Sequence, residues 1–164
     1  MKAAAEAIRL QFPDQVHGLE EHQGQVTLEI RRDKVVEILR TLRDEHAFSM
    51  LTDLCALDFQ GYAAGPIPER FAVVYHLYSY DKNERIRIRA FIPEADPSIE
   101  SAASLWKAAN WAEREAWDMM GISFRGHPDL RRILLPENYG SHPHRKEYPV
   151  TGKGERDSFP RYFE

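Results

Sequence analysis

The sequence predicts an α+β fold, a mostly antiparallel sheet with helices packed on one face, carrying an extended C-terminal arm. Three observations predict it. Val35, Val36, Leu39 and Leu42 recur at helical spacing, and Arg85, Arg87 and Arg89 alternate with Ile86, Ile88 and Ala90 at the period of a strand. Beyond residue 124 neither period survives. The chain therefore reads as a globular domain over residues 1–124 and an arm over residues 125–164.

Each element has its own signal. Residues 3–11 are alanine-rich and favour helix until Pro13 closes it. Residues 16–21 and 25–30 are short strand candidates that can pair around Gln23-Gly24. The amphipathic helix that follows gains Ile38 on its apolar stripe, with Asp33 suited to cap its first turn. Strands are expected over residues 49–59, 71–80 and 85–92, the first two separated by the glycine- and proline-bearing loop 61–68. After a second loop over residues 93–101, Ser101 or Ser104 is placed to cap a last helix reaching to about Met120. Gly121 ends that helix, where a left-handed residue fits best.

Composition excludes several classes of function. In 164 residues, 43% are hydrophobic and 29% charged, the balance of a protein that folds in water. A net charge of −4 and a pI near 6.0 give no broad positive field for a nucleic-acid backbone, so no nucleic-acid partner is expected. Apolar runs such as residues 71–75 fall far short of the roughly 20 residues a bilayer crossing requires, and no leader pattern opens the sequence. Membrane contact is expected only through partners. The lone Cys55 can neither form an internal disulfide nor by itself hold an iron–sulfur cluster or a thiolate zinc site, and its apolar strand surroundings read as those of a small core residue. No glycine-rich phosphate loop is present.

The arm differs in kind from the domain. It holds five of the ten prolines and three of the seven histidines, with eight Lys and Arg against six Asp and Glu, a net of +2 on an otherwise acidic protein. A disordered tail is poor in large apolar groups. This one carries Leu130, Ile133, Leu134, Leu135, Tyr139, Tyr148, Phe159, Tyr162 and Phe163. Such side chains need a surface, and the expectation is that another subunit supplies it.

One stretch carries a family resemblance. Residues 113–122 read Glu113-Arg114-Glu115-Ala116-Trp117-Asp118-Met119-Met120-Gly121-Ile122 and lead into Phe124-Arg125-Gly126-His127-Pro128-Asp129-Leu130-Arg131-Arg132-Ile133-Leu134, followed by His142-Pro143-His144-Arg145-Lys146-Glu147-Tyr148-Pro149. Together they resemble the C subunit of proton-translocating NADH:quinone oxidoreductase, the respiratory complex I family. The likeness extends more loosely upstream through Leu51-Thr52-Asp53-Leu54, Asp58 and residues 70–75, covering about residues 48–149. It departs at Asn138, Tyr139, Ser141 and His144, which bear on the local backbone of that turn.

The resemblance implies a non-catalytic scaffold subunit of the peripheral arm, on the cytoplasmic side of the cell membrane. It would contact the D subunit that shapes the quinone site and the ferredoxin-like I subunit that carries clusters. NADH, FMN, iron–sulfur clusters and quinone would belong to those and other partners, with no cofactor on this chain, and oxidoreductase and translocase activity to the complex alone. Related subunits also occur in membrane-bound hydrogenase complexes.

Glu113, Glu115 and Asp118 could be read as a carboxylate site for acid–base work. The helical spacing instead places Arg114 to pair with Asp118 at i,i+4, and gives these groups structural or interface roles. His127, His142 and His144 match no compact zinc motif, so no metal site is expected among them. Arg131, Arg132, Arg145 and Lys146 alternate with aliphatic and aromatic residues, the composition of a protein interface. Spacings of five and six residues prevent Trp106, Trp111 and Trp117 from all facing one core, so at least one should meet a neighbour. The expected interface set is Glu113, Arg114, Glu115, Trp117, Asp118, His127, Asp129, Arg131, Arg132, His142, Arg145, Lys146 and Tyr148. A small histidine-dependent hydrolase or metal enzyme is the rival reading from another class.

Overall fold

The computed structural model describes residues 1–63, 65 and 67–154. The arm anchors Phe159, Tyr162 and Phe163 lie outside the described residues. In chain order the elements are α1 (Lys2–Gln11), β1 (Val16–His22), β2 (Gln25–Arg31), a 3₁₀ turn (Arg32–Lys34), α2 (Val35–Asp44), β3 (Met50–Asp58), β4 (Phe71–Ser79), β5 (Glu84–Ile92), β6 (Ser98–Glu100), α3 (Ala109–Met120) and β7 (Ser123–Arg125).

The main sheet has the order β1-β2-β5-β4-β3. Its pairs are antiparallel except β2 with β5, which run parallel because α2 and the β3–β4 pair intervene between them. The alternation read in β5 decides the faces. Ile86, Ile88 and Ala90 join Val26, Leu28 and Ile30 of β2 and Phe71, Val73, Tyr75 and Leu77 of β4 in one core with residues of all three helices. Helices therefore cover one face, as the apolar stripes of α1 and α2 require.

The opposite face carries the intervening residues in register. Thr27, Arg87, His76 and Asp53 form one cross-strand row, and Glu29, Arg89, Val74 and Cys55 the next. One end of this face is apolar and covered, where Phe91 meets the rings of His17 and Phe59 at centroid distances of 6.0 and 6.1 Å, and Val74 is buried in its middle. Cys55 accordingly sits half-buried on the face away from the helices, not in the core that its apolar neighbours in sequence pointed to. Strand alternation moved it, since Leu54 takes the core-facing position beside it.

Three local expectations need correction. Asp33 makes no capping hydrogen bond, because a 3₁₀ turn carries the chain into α2 and moves the helix start to Val35. Neither Ser101 nor Ser104 caps α3, which begins at Ala109, and its first residue is preceded by a run of turns. The loop expected over 93–101 contains β6, which pairs in parallel with β7 and ties the entrance of this segment to the exit of α3. Gly121 does end α3, with φ 72° and its N–H donating to the Trp117 carbonyl at 2.8 Å. Among the described residues no helix is long and apolar enough to cross a membrane.

Candidate subunit interface

The strip beyond β7 has no helix or strand among its described residues, yet it follows a fixed path over α3 and the end of the sheet. Two buried carboxylates hold it. Asp118, on α3, is fully buried and accepts three consecutive backbone N–H groups through Oδ2, from Ile133, Leu134 and Leu135 at 3.0, 2.8 and 3.0 Å. Its Oδ1 accepts from Arg132 Nη1 at 2.5 Å. Burial alone would raise the Asp118 pKa, but the three amides and the guanidinium outweigh it and hold the carboxyl below its usual range.

This arrangement replaces the expected i,i+4 pair. Arg114 instead donates through Nε and Nη2 to the carbonyls of Arg131 and Arg132, both at 3.1 Å. The physical reason is satisfaction of the strip: its turn presents amides to Asp118 and carbonyls to Arg114, a set of partners that two neighbours on one helix cannot give each other. Arg132 also donates to the carbonyl of Tyr139 and stacks over Trp117 at 5.7 Å.

The second carboxylate, Asp58 at the end of β3, binds Arg70 in a two-pronged pair at 3.1 and 2.9 Å and accepts the Lys146 N–H at 2.9 Å. Burial opposes ionisation of Asp58 as well, and Arg70 with the amides of Lys146 and Gln60 again keeps its pKa low. Arg70 extends to Glu94 at 2.5 Å and to Glu147. Its own pKa rises, chiefly through Asp58.

Between these anchors the strip crosses Gly121. His142 Nδ1 donates to the Asp118 carbonyl at 2.9 Å, and Arg145 Nε donates to the Met120 carbonyl at 2.7 Å while its guanidinium lies 5.3 Å from the Phe71 ring. Burial and the nearby arginines keep His142 neutral, with its pKa lowered despite the bond to Asp118. A Cβ on Gly121 would come within 2.6 Å of His142 and 2.7 Å of Arg145. The glycine thus serves both the left-handed helix end and the close passage of the strip.

Glu113 forms a separate buried node. It accepts the Ser101 hydroxyl at 2.5 Å and the Ala102 N–H at 2.6 Å, which ties α3 to the segment after β6. Burial pushes its pKa up to about 7 against those two bonds. His127 Nε2 donates to the Asn110 carbonyl at 3.0 Å, and Nδ1 accepts the Asp129 N–H at 3.0 Å, so both ring nitrogens are held by backbone. Tyr75, fully buried, has its pKa raised by burial and by the Glu113 charge.

The expected interface residues therefore divide. Glu113, Arg114, Asp118, His127, Arg132, His142 and Arg145 spend their polar atoms on contacts within the chain. Glu115, Asp129, Arg131 and Lys146 are exposed, while Trp117 and Tyr148 are half-buried. Of the three tryptophans, Trp106 is buried and donates to the Ser49 carbonyl at 2.8 Å, whereas Trp111 is 64% exposed. Arg114 lies over the Trp111 ring at 5.2 Å, so the same guanidinium joins this tryptophan to the strip at residues 131–132. Leu134, with 57% of its surface exposed, is a further apolar group on the strip. Both residues stand out in the sequence, but which tryptophan faces out depends on how the turns holding Trp106 and the helix α3 holding Trp111 pack on the sheet, and no spacing along the chain fixes that packing.

Comparison with known proteins decides what this arrangement belongs to. The family model described as respiratory-chain NADH dehydrogenase, 30 Kd subunit, matches residues 28–154. The chain belongs to this family. The C subunit of the NADH-quinone oxidoreductase of Geobacter metallireducens is 42% identical over 147 residues, covering 90% of this chain and 88% of that protein. Its counterpart in Citrifermentans bemidjiense is 46% identical over 132 residues, covering 80% and 79%. Among solved structures, the trypsin-resistant fragment of Nqo5 superposes with a TM-score of 0.70 at 33% identity, covering 79% of this chain and 98% of that one. A chain of the archaeal membrane-bound sulfane sulfur reductase shares the fold, with a TM-score of 0.74 at 20% identity and 99% and 94% coverage. The resemblance read from residues 113–149 thus holds, and for the 30 Kd subunit family it extends upstream to residue 28.

Proposed function

We propose that this chain is a non-catalytic subunit of the peripheral arm of an NADH:quinone oxidoreductase, in which it sets the relative position of partner subunits by surface complementarity. The observation that carries this reading is the division of its motif residues. Those that anchor the strip face inward, and they leave Trp111, Arg131 and Leu134 on a surface already fixed before a partner arrives. An exposed tryptophan beside arginine is the usual composition of a binding hot spot, and a preordered surface lowers the entropy cost of association.

The partners are the D subunit that shapes the quinone site and the ferredoxin-like I subunit, with the chain on the cytoplasmic side of the cell membrane. NADH, FMN, iron–sulfur clusters and quinone are bound by partners, and this chain contributes to proton-coupled electron transfer by geometry. The names of the relatives at 42% and 46% identity support the NADH-linked complex over a hydrogenase-type one.

The test is replacement of the cellular copy by Trp111→Ala combined with Arg131→Glu, followed by purification of the complex through a tag on this chain. Recovery of the D subunit and NADH:quinone activity in membranes should both fall at least tenfold, while the isolated variant keeps its melting temperature. Normal recovery and activity would overturn the proposal.

A further inference from the structure

The face of the sheet turned away from the helices carries a second group of residues that the subunit assignment does not use. We propose that Asp53, Cys55 and His76 form a binding site for a divalent cation of the zinc type, with the remaining coordination position open.

The register builds the group. Asp53 and His76 are cross-strand partners on β3 and β4, and Cys55 stands two residues along β3 on the same face. One donor atom from each, a carboxylate oxygen, a thiol sulfur and an imidazole nitrogen, lie within 4.8 Å of one another. Donors around a tetrahedral zinc stand about 3.3 to 3.8 Å apart, given its usual bond lengths. Cation binding would have to close that difference of about 1–1.5 Å by side-chain rotation.

The surroundings orient Asp53 and brace the two ligand-bearing strands before any cation arrives. The pairing of β3 with β4 shifts register between Leu51 and Asp53, a bulge of the kind that re-aims a side chain. At that bulge the Thr52 hydroxyl donates to the carbonyl of His76 at 2.9 Å, which locks the two ligand-bearing strands together. One oxygen of Asp53 accepts the Leu54 N–H at 2.9 Å, leaving the other for a cation. Outer contacts that orient a ligand are characteristic of built metal sites.

The chemistry selects the ion. A thiolate, an imidazole and a carboxylate together suit zinc, whereas magnesium and calcium take oxygen donors. The carboxylates of Asp53 and, less strongly, Glu115 of α3 place negative charge near the sulfur, which draws a cation toward it. Arg87, beside His76 in the cross-strand row, opposes cation binding. It donates to Gln25 Oε1 at 2.9 Å, away toward β2, and one cation stands against the carboxylates of Asp53 and Glu115 and the thiolate that metal binding would create. Three protein ligands with one open position is the pattern of zinc sites that keep a water or accept a further ligand.

This site stands apart from the subunit assignment and departs from the expectation of no metal, which weighed the histidines of the arm and Cys55 alone but not Cys55 together with Asp53 and His76. Purified full-length chain, titrated with cobalt(II) in place of zinc, should develop a thiolate-to-cobalt charge-transfer band in the near ultraviolet together with the intense visible bands of a four-coordinate ion. Competition with a chromophoric chelator should show one equivalent of zinc bound at micromolar affinity or tighter. C55S should abolish the charge-transfer band, and D53N and H76N should each weaken zinc binding at least tenfold, whereas H144N, on the exposed arm, should leave it unchanged. Absence of a charge-transfer band in the wild-type chain, which needs no variant to fold, would overturn the proposal. So would zinc binding that falls in H144N and not in H76N.

Discussion

The sheet with its helices and the strip beyond β7 are held together by different physics. In the sheet, each of Leu28, Ile88, Val73 and Tyr75 is buried among many apolar neighbours, and the backbone is satisfied by continuous ladders. In the strip, consecutive amides converge on one carboxylate, Asp118, and a later one on Asp58. Distributed burial tolerates the loss of any one contact better than convergent bonding does. Single substitutions should therefore act globally in the body and locally in the strip, and the subunit's outward surface depends on the more fragile of the two regions.

The sharpest way to break this contrast is Asp118→Ala. It leaves the Arg132 guanidinium and three amides without their acceptor. Removing one partner of a buried pair costs about 3–5 kcal/mol. The expected outcome is selective tryptic cleavage at Arg131, Arg132 and Arg145 while the circular-dichroism spectrum of the sheet persists. Leu28→Ala, in the body, should cost about 2–5 kcal/mol by cavity formation. Its signature should be opposite, a lower unfolding midpoint with no cleavage confined to the strip. Equal cleavage patterns in the two variants would remove the distinction.

Acidity sharpens the comparison through opposite signs. Asp58 and Asp118 have folded pKa values below their ordinary 3.8, so their stabilisation is present above that value and is lost as pH falls through the folded values. Hydrogen exchange at the amides of Ile133 and Leu135 should lose its protection on acidification before the sheet opens. Glu113 runs the other way. Its folded pKa of about 7 exceeds the ordinary 4.5, so the native state holds the extra proton in that window and stability declines as pH rises across it. Glu113→Gln cannot titrate, and denaturant midpoints should show it gaining on the wild type by about 1–3 kcal/mol between pH 5 and pH 8. A constant difference between the two would mean that Glu113 does not change charge there.

The smallest expected effect is at Asp33. It makes no cap bond, so Asp33→Ala should change stability by less than about 0.5 kcal/mol in thermal unfolding. A loss of about 1 kcal/mol would restore the capping role that its position before the apolar stripe first indicated.

Local pattern was enough for much of the fold. The alternation at Arg85–Ile92, the stripe of α2, the turn at Gln23-Gly24 and the stop at Gly121 are all short-range signals, and each gave its element to within a residue or two. The motif over residues 113–149 likewise disclosed the family. What it could not disclose was the direction of its side chains. Arg114 and Asp118 look like partners along a helix, but each satisfies the strip instead, because the strip's exposed backbone groups outnumber anything a neighbour on α3 could offer.

The amino-acid order by itself determined the main helices and strands, the apolar faces of α2 and β5, and the family to which the chain belongs, since all of these rest on spacings of two to four residues or on contiguous motifs. Tertiary structure alone decided that β2 pairs in parallel with β5, that Trp111 and not Trp106 faces outward, and that Asp53, Cys55 and His76 meet. Each of those depends on register between segments far apart in the chain, and no local period encodes register.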